Sequence, residues 1–161
     1  MKDCKLIDTP MAKNEILTKD MCPKTSEEIQ RMEKVPYANA VGNLMYTMLC
    51  TRPDICFAIG MVNRYQSSLG EAHWKAVKRI LRYLKGTANY SLCYQGSNLT
   101  VRGYTDADWA GDGDERKSTS GFVFLLGNRA ISWSSKKQSC IALSTMEAEF
   151  VALSGTAQEA V

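Results

Sequence analysis

The hydrophobic period of this chain changes once, near Gly86, and that change constrains its fold more than any other feature. Before it, in "EAHWKAVKRILRYLKGT" (71–87), Trp74, Val77, Leu81 and Leu84 recur at helical spacing, and Gly86 is a natural terminator. After it, "YSLCYQ" and "LTVRGYTDADW", separated by "GSN", read as strands. The stretch "GFVFLLGNRAISWSS" reads as a hairpin around Gly127-Asn128, a dipeptide suited to a tight turn. The closing "STMEAEFVALSGTAQEAV" reads as a helix that runs to the end of the chain. A chain whose local geometry switches from period 3.6 to period 2 cannot be one uniform bundle or one uniform sandwich.

Upstream of that switch the expected elements are helical. Thr25 with Glu28 three residues on is a capping-box signature for "SEEIQRMEKV", which Pro36 stops. The run from Tyr37 to Cys50 carries Val41, Leu44, Met45 and Met48, and "TRPDICFAIGMVNRYQ" restarts a helix with Pro53 in its first turn. Residues 1–24, with Pro10 and Pro23 and little periodicity, read as an irregular lead-in. The expected class is α/β (α+β), with the lead-in 1–24, a helical module 25–88 and an α/β module 89–161.

Composition narrows the functional classes. At 161 residues, 45% of them hydrophobic and 23% charged, this is a folding chain with a real core. Residues 1–95 hold 14 Lys and Arg against 9 Asp and Glu, a surplus of five positive charges; residues 96–161 hold 6 against 8, a surplus of two negative ones. A basic half beside an acidic half suits a polyanion partner and a cation site. Cys4, Cys22, Cys50, Cys56, Cys93 and Cys140 form no CxxC pair, so reduced, packed thiols are expected in place of a zinc site or disulfide framework. The N-terminus lacks an apolar signal region, and the longest apolar stretch, "AVGNLMYTMLC", is too short to span a bilayer; no membrane partner is expected.

Two constellations carry chemistry. Lys75, Lys78, Arg79, Arg82 and Lys85 form a cationic stripe that could track a phosphate backbone or be an ordinary solvated helix face. His73, the lone histidine, has no evident catalytic partner and reads as structural or superficial. Among the acids, Asp106 and Asp108 are two apart on a strand and share a face. Asp112, Asp114 and Glu115, among Gly111, Gly113, Arg116 and Lys117, read as a solvated turn with local charge compensation; the spacing is not that of an EF-hand. In the last helix Ser144 is the expected N-cap, which gives Glu147 a capping role. Glu149 then flanks a face of Met146, Phe150 and Leu153 expected to meet the core. A strand Asp and a helix Glu that converge could hold Mg2+.

Taken in order, "YTDADWAGD", "KSTSGFVFLLGNRAISWSSKKQ" and "ALSTMEAEFVAL" resemble the RNase H domain of copia-type LTR retrotransposon Pol polyproteins. Upstream, "VPYANAVGNLMYTMLCTRPDICFAIGMVNRYQ" and "HWKAVKRILRYLKGT" resemble the end of the reverse transcriptase of the same polyprotein, its thumb and connection region. The resemblance implies cleavage of the RNA strand of RNA–DNA hybrids with two Mg2+ ions, with Asp106 and Glu149 as catalytic metal ligands. It places Lys75, Lys78, Arg79, Arg82, Lys85, Lys136 and Lys137 near nucleic acid, in a cytoplasmic or nuclear particle beside the rest of the polyprotein. The third Asp of the family has no counterpart after Asp114, so weak Mg2+ binding, an inactive isolated chain and an uncovered sheet edge and apolar face are expected. A non-catalytic nucleic-acid-binding fragment is one alternative. Another is a secreted oomycete-type effector acting in host cells: "RILR" (Arg79, Leu81, Arg82) fits the Arg-x-Leu-Arg pattern, and Asp114, Glu115 and Arg116 resemble its acidic partner motif.

Overall fold

A computed structural model describes residues 4–13, 15–94 and 99–161. The chain divides into two compact units, Met1–Tyr90 and Ser91–Val161. The α/β (α+β) class holds, with five α-helices and a three-stranded antiparallel sheet among the described residues.

The first unit contains α1 (Ser26–Glu33), α2 (Tyr37–Cys50), α3 (Cys56–Asn63) and α4 (Glu71–Gly86), with short 3-10 turns at Lys19–Met21 and Pro53–Ile55. The Thr25 capping box forms: the Glu28 amide donates to Thr25 Oγ1 and the Glu28 carboxylate accepts from the Thr25 amide. Helices α2, α3 and α4 close around Val41, Leu44, Ile55, Ile59, Val62, Val77 and Ile80, all nearly or fully buried. The buried face of α4 is His73, Ala76, Val77, Ile80 and Tyr83. Trp74, Leu81 and Leu84, which share the helical spacing with Val77, are partly buried and pack against this core.

The lead-in is irregular but integral. Leu17 is buried, its carbonyl accepts from the Tyr65 hydroxyl at 2.6 Å, and Ile7 and Met11 pack against the core. His73 is fully buried and stacked on Tyr65, centroids 4.0 Å apart. Its Nδ1 accepts from the Gly70 amide at 2.8 Å, and its Nε2 lies 3.1 Å from the Thr18 carbonyl. An acceptor on one nitrogen and a donor on the other describe a neutral structural imidazole.

In the second unit β1 (Val101–Asp108), β2 (Thr119–Leu126) and β3 (Arg129–Lys137) follow in order β1-β2-β3, and α5 (Thr145–Glu159) packs mainly on β1 and β2. Gly127 and Asn128 both take positive φ, 55° and 65°, as a tight two-residue hairpin requires. The strand expected at "YSLCYQ" is not formed over residues 90–94; Gln95 and "GSN" lie outside the described residues. Side chains tether this stretch where a backbone ladder was expected: Arg129 Nε donates to the Cys93 carbonyl at 2.8 Å, and the Tyr94 hydroxyl donates to the Ala130 carbonyl at 2.6 Å.

The expected orientation of α5 is overturned. The face on the sheet is small (Ala148, Ala152 and Thr156), while Met146, Phe150 and Leu153 point outward, the first 80% exposed. Small side chains let the helix approach the sheet closely, leaving the bulky stripe uncovered.

Candidate functional site

Asp106 and Glu149 sit on elements that are packed together. Strand residues alternate faces, and the Thr105 hydroxyl lies 2.9 Å from that of Thr156 in α5; Thr105 thus faces the helix, and Asp106 and Asp108 belong to the opposite parity. Asp106 stands opposite Gly121 of β2 and is exposed. Glu149, also exposed, follows Ala148, whose carbonyl accepts from Gln138 Nε2 at 2.9 Å; that same amide donates to Ser120 Oγ at 2.8 Å. The Ser144 N-cap accepts from the Glu147 amide at 3.2 Å, and the Glu147 carboxylate reaches back to the Leu143 amide at 2.7 Å. Glu147 is therefore occupied at the helix start, as the capping reading requires. Among the described residues no group of three or more His, Cys, Asp or Glu could hold a metal ion.

The acidic turn differs from its expected form. Asp112 is 1% exposed, its carboxylate accepting from the Glu115 amide and from Lys137 Nζ, both at 3.2 Å. Glu115 pairs with Lys117 at 2.8 Å and with Lys137 at 3.2 Å. The charge compensation is real, but β3 supplies part of it and Asp112 is not solvated. Lys137, expected near nucleic acid, is held inside this cluster; Lys136 is exposed. Gly111 permits the turn to fold back, since a Cβ there would lie 1.8 Å from Asp108 Oδ2.

Hydrogen bonds from Lys117, then from Lys137, pull the Glu115 carboxyl down to about 2. In an unfolded chain the group titrates near about 4.3. A lowered folded-state value stabilises above the unfolded one, and that contribution is lost as pH falls from about 4.5 toward 2. The urea midpoint should fall across this window, and Glu115→Gln should flatten the slope. An unchanged slope would refute the assignment.

Every member of the basic stripe has an intramolecular contact. Lys75 pairs with Glu71 at 2.8 Å, and Lys78 Nζ lies 6.0 Å from the Trp74 ring centroid. Arg79 donates to Thr9 Oγ1 at 2.8 Å, Arg82 to the Lys5 carbonyl at 2.7 Å, and Lys85 lies 3.9 Å from Cys4 Sγ. Because the lead-in offers Arg79 and Arg82 neutral oxygens, their positive charge is retained. The same contacts place both arginines of "RILR" beneath the lead-in, with Leu81 against the core.

Sequence reasoning did not single out the Arg52–Asp54 corner. Arg52 grips Asp54 through Nε at 2.9 Å and Nη2 at 2.7 Å, and reaches the Thr87 carbonyl at 3.2 Å; the Tyr83 hydroxyl donates to Asp54 at 2.7 Å. Burial pushes the Asp54 carboxyl up, but hydrogen bonds from Arg52 and Tyr83 outweigh it and hold it below the usual range. The available signal was Pro53 between opposite charges. No described helix is long and apolar enough to cross a membrane.

No family model and no solved structure matches the chain. It is 53% identical over 161 residues, its whole length, to the retrovirus-related Pol polyprotein from transposon TNT 1-94 of Nicotiana tabacum, of which it spans 12%. Against the Pol polyprotein from transposon RE2 of Arabidopsis thaliana it is 38% identical over 99% of its length, spanning 10% of that protein. It is also 48% identical over 81% of its length to secreted RxLR effector protein 161 of Plasmopara viticola, spanning 92% of that protein. Over its whole length the chain is similar to a segment of retrovirus-related transposon Pol polyproteins, and it covers about a tenth of the length of the polyproteins it matches.

Proposed function

We propose that this chain is a segment of a copia-type Pol polyprotein that contacts RNA–DNA hybrid and supplies Asp106 and Glu149 to an RNase H-type centre. The docking of α5 on β1 supports the reading in that the Asp106 strand and the Glu149 helix belong to one packed unit, with Asp106 on the strand face opposite the helix. The residues present do not fit a complete two-Mg2+ centre, since no third donor joins them among the described residues. No catalytic step is derived through the metals. The remaining donors are assigned to other parts of the polyprotein, and the basic stripe of α4 to the nucleic acid.

The chain alone is expected to leave a labelled hybrid uncut in Mg2+; cutting abolished by Asp106→Asn would overturn this incompleteness. Exchanged for the matching segment of the tobacco polyprotein, it should support hybrid cleavage. There Asp106→Asn or Glu149→Gln should each reduce the rate by at least about 100-fold, the upper end of what losing a group that supports a metal ligand costs. Full activity in both substituted chains would sink the assignment.

A second reading, a secreted effector in host cells, is favoured by one observation, the 92% of the Plasmopara viticola relative that the chain spans. Identity to the tobacco polyprotein is higher, and both arginines of "RILR" are engaged with the lead-in. Export of a signal-less reporter fused behind the chain would reverse this ranking.

A further inference from the structure

Of the four prolines, Pro10, Pro23, Pro36 and Pro53, only Pro10 follows a hydroxyl residue, Thr9; the others follow Cys22, Val35 and Arg52. A hydroxyl directly before proline, in an accessible and extended segment, is the substrate pattern of proline-directed protein kinases. Proline helps by holding the residue before it out of the helical region. Thr9 meets the access condition, since it is exposed and residues 4–13 form no helix or strand.

Arg79 supplies the second half of the site. Its Nη2 donates to Thr9 Oγ1 at 2.8 Å, while its Nε, on the same edge of the guanidinium, is buried with no hydrogen-bond partner. Arg52 shows that edge fully used in the same unit: Nε donates to Asp54 Oδ1 at 2.9 Å and Nη2 to Oδ2 at 2.7 Å. A hydroxyl has one oxygen and fills one prong. A phosphate on that hydroxyl brings three more acceptor oxygens and suits both. It would arrive from a residue already resting on the guanidinium, so the burial of Nε from solvent does not bar it. The exposed backbone around Asp8 and Thr9 can move outward to seat it.

We infer that Thr9 is a phosphorylation site whose phosphate is captured by Arg79. A protein kinase transfers the γ-phosphoryl group of ATP to the hydroxyl. The Thr9 Oγ1–P bond forms as the bond from Pγ to the bridging oxygen breaks, ADP leaves with that electron pair, and the hydroxyl proton passes to the kinase's base. The product carries a charge of about −1.5 to −2 at neutral pH. It turns a neutral contact into a charge-assisted one, ties the lead-in to α4 and offsets the Arg79 charge in the basic stripe. Asp8 beside it is exposed, where water and salt screen its repulsion. The site stands on Thr9 and Arg79 and not on the nucleic-acid reading of the stripe, so either can fail alone.

The test treats the full chain with ATP and a proline-directed kinase and maps the phosphate by fragmentation mass spectrometry. Phosphate is expected on Thr9, and Pro10→Ala should abolish its incorporation there. Capture is read by phosphorus NMR titration of the phosphorylated chain, folded and in urea. The second ionisation of the phosphate, near about 6 when unperturbed, should fall by at least about one pH unit on folding, a tenfold change in proton affinity and the worth of one hydrogen bond to a charged group. Arg79→Gln should remove that shift. Arg79→Lys, which keeps the charge but not the fork, should retain only part of it. Amide exchange at residues 5–9 should slow on phosphorylation of the parent chain and not of Arg79→Gln. No phosphate on Thr9, a phosphate that titrates alike folded and in urea, or a shift that survives Arg79→Gln overturns the site.

Discussion

Arg52→Ala is expected to destabilise the Met1–Tyr90 unit by about 3 kcal/mol, near the lower end of the cost of removing one partner from a buried ion pair. The guanidinium side chain is 9% exposed and that of Asp54 32%, so the orphaned carboxylate would keep about a third of its surface in water. It would retain the Tyr83 hydroxyl as donor and lose the two-pronged grip. The Thr87 carbonyl and hydroxyl would lose their Arg52 donors, and Tyr83 and Tyr90 a cation 5.5 Å and 5.9 Å from their ring centroids. The network spans the turn before α3 and the end of α4, so its loss should loosen the corner that closes the helical core. Arg52→Lys should recover only part of the loss, because an ammonium cannot reproduce the planar fork. Arg52→Met with Asp54→Leu should recover more, since it removes the buried charge problem altogether. Urea unfolding followed by helical circular dichroism measures all three. A loss below about 1 kcal/mol for Arg52→Ala, the scale of a surface pair, would show that the corner is held by packing alone.

The helices α1 to α4 and the hairpin were legible because each rests on a local rule: a capping box at Thr25, apolar spacing along α4, a left-handed dipeptide at Gly127-Asn128. What escaped needed a partner distant in sequence. Periodicity finds an apolar stripe on α5 but not which face meets the sheet, and there close approach selects Ala148, Ala152 and Thr156 over the larger Met146, Phe150 and Leu153. Lys5, Thr9, Leu17 and Thr18 of the lead-in follow no period because their contacts are with Arg82, Arg79, Tyr65 and His73, none of them a near neighbour. The candidate site divides the same way. Asp106 and Glu149 came from motif order, and spacing separated Glu147 from Glu149 through the cap. Gln138 gave no signal, since its amide joins Ser120 to Ala148 only once the helix has docked.

Asp112 is the sharpest instance, and Asp112→Ala should cost the Ser91–Val161 unit about 3–5 kcal/mol, as removing one partner of a buried charge pair does. By composition the residue belongs to an exposed turn, yet its side chain is 1% exposed and held by the Glu115 amide and Lys137 Nζ. Its backbone closes the same turn, the amide donating to the Lys117 carbonyl at 3.1 Å and the carbonyl accepting from the Arg116 amide at 2.9 Å. Arg116 takes a φ of 56°, uncommon for a side-chain-bearing residue, so this turn is held against a backbone preference. Without the carboxylate, Lys137 keeps Glu115 as a partner, but the Glu115 amide loses its acceptor and the connection from β1 to β2 loses its anchor. Asp112→Asn should cost less, because its amide oxygen still accepts from Glu115 while only the charge is lost. The double change Asp112→Ala with Lys137→Ala should fall short of the sum of the single changes by at least about 0.5 kcal/mol, as directly coupled groups do. Urea unfolding of the four chains, with amide exchange at Lys117 and Arg116, reads the result. Additive losses, or a loss below about 1 kcal/mol for Asp112→Ala, would return the residue to the solvated turn that its sequence suggests.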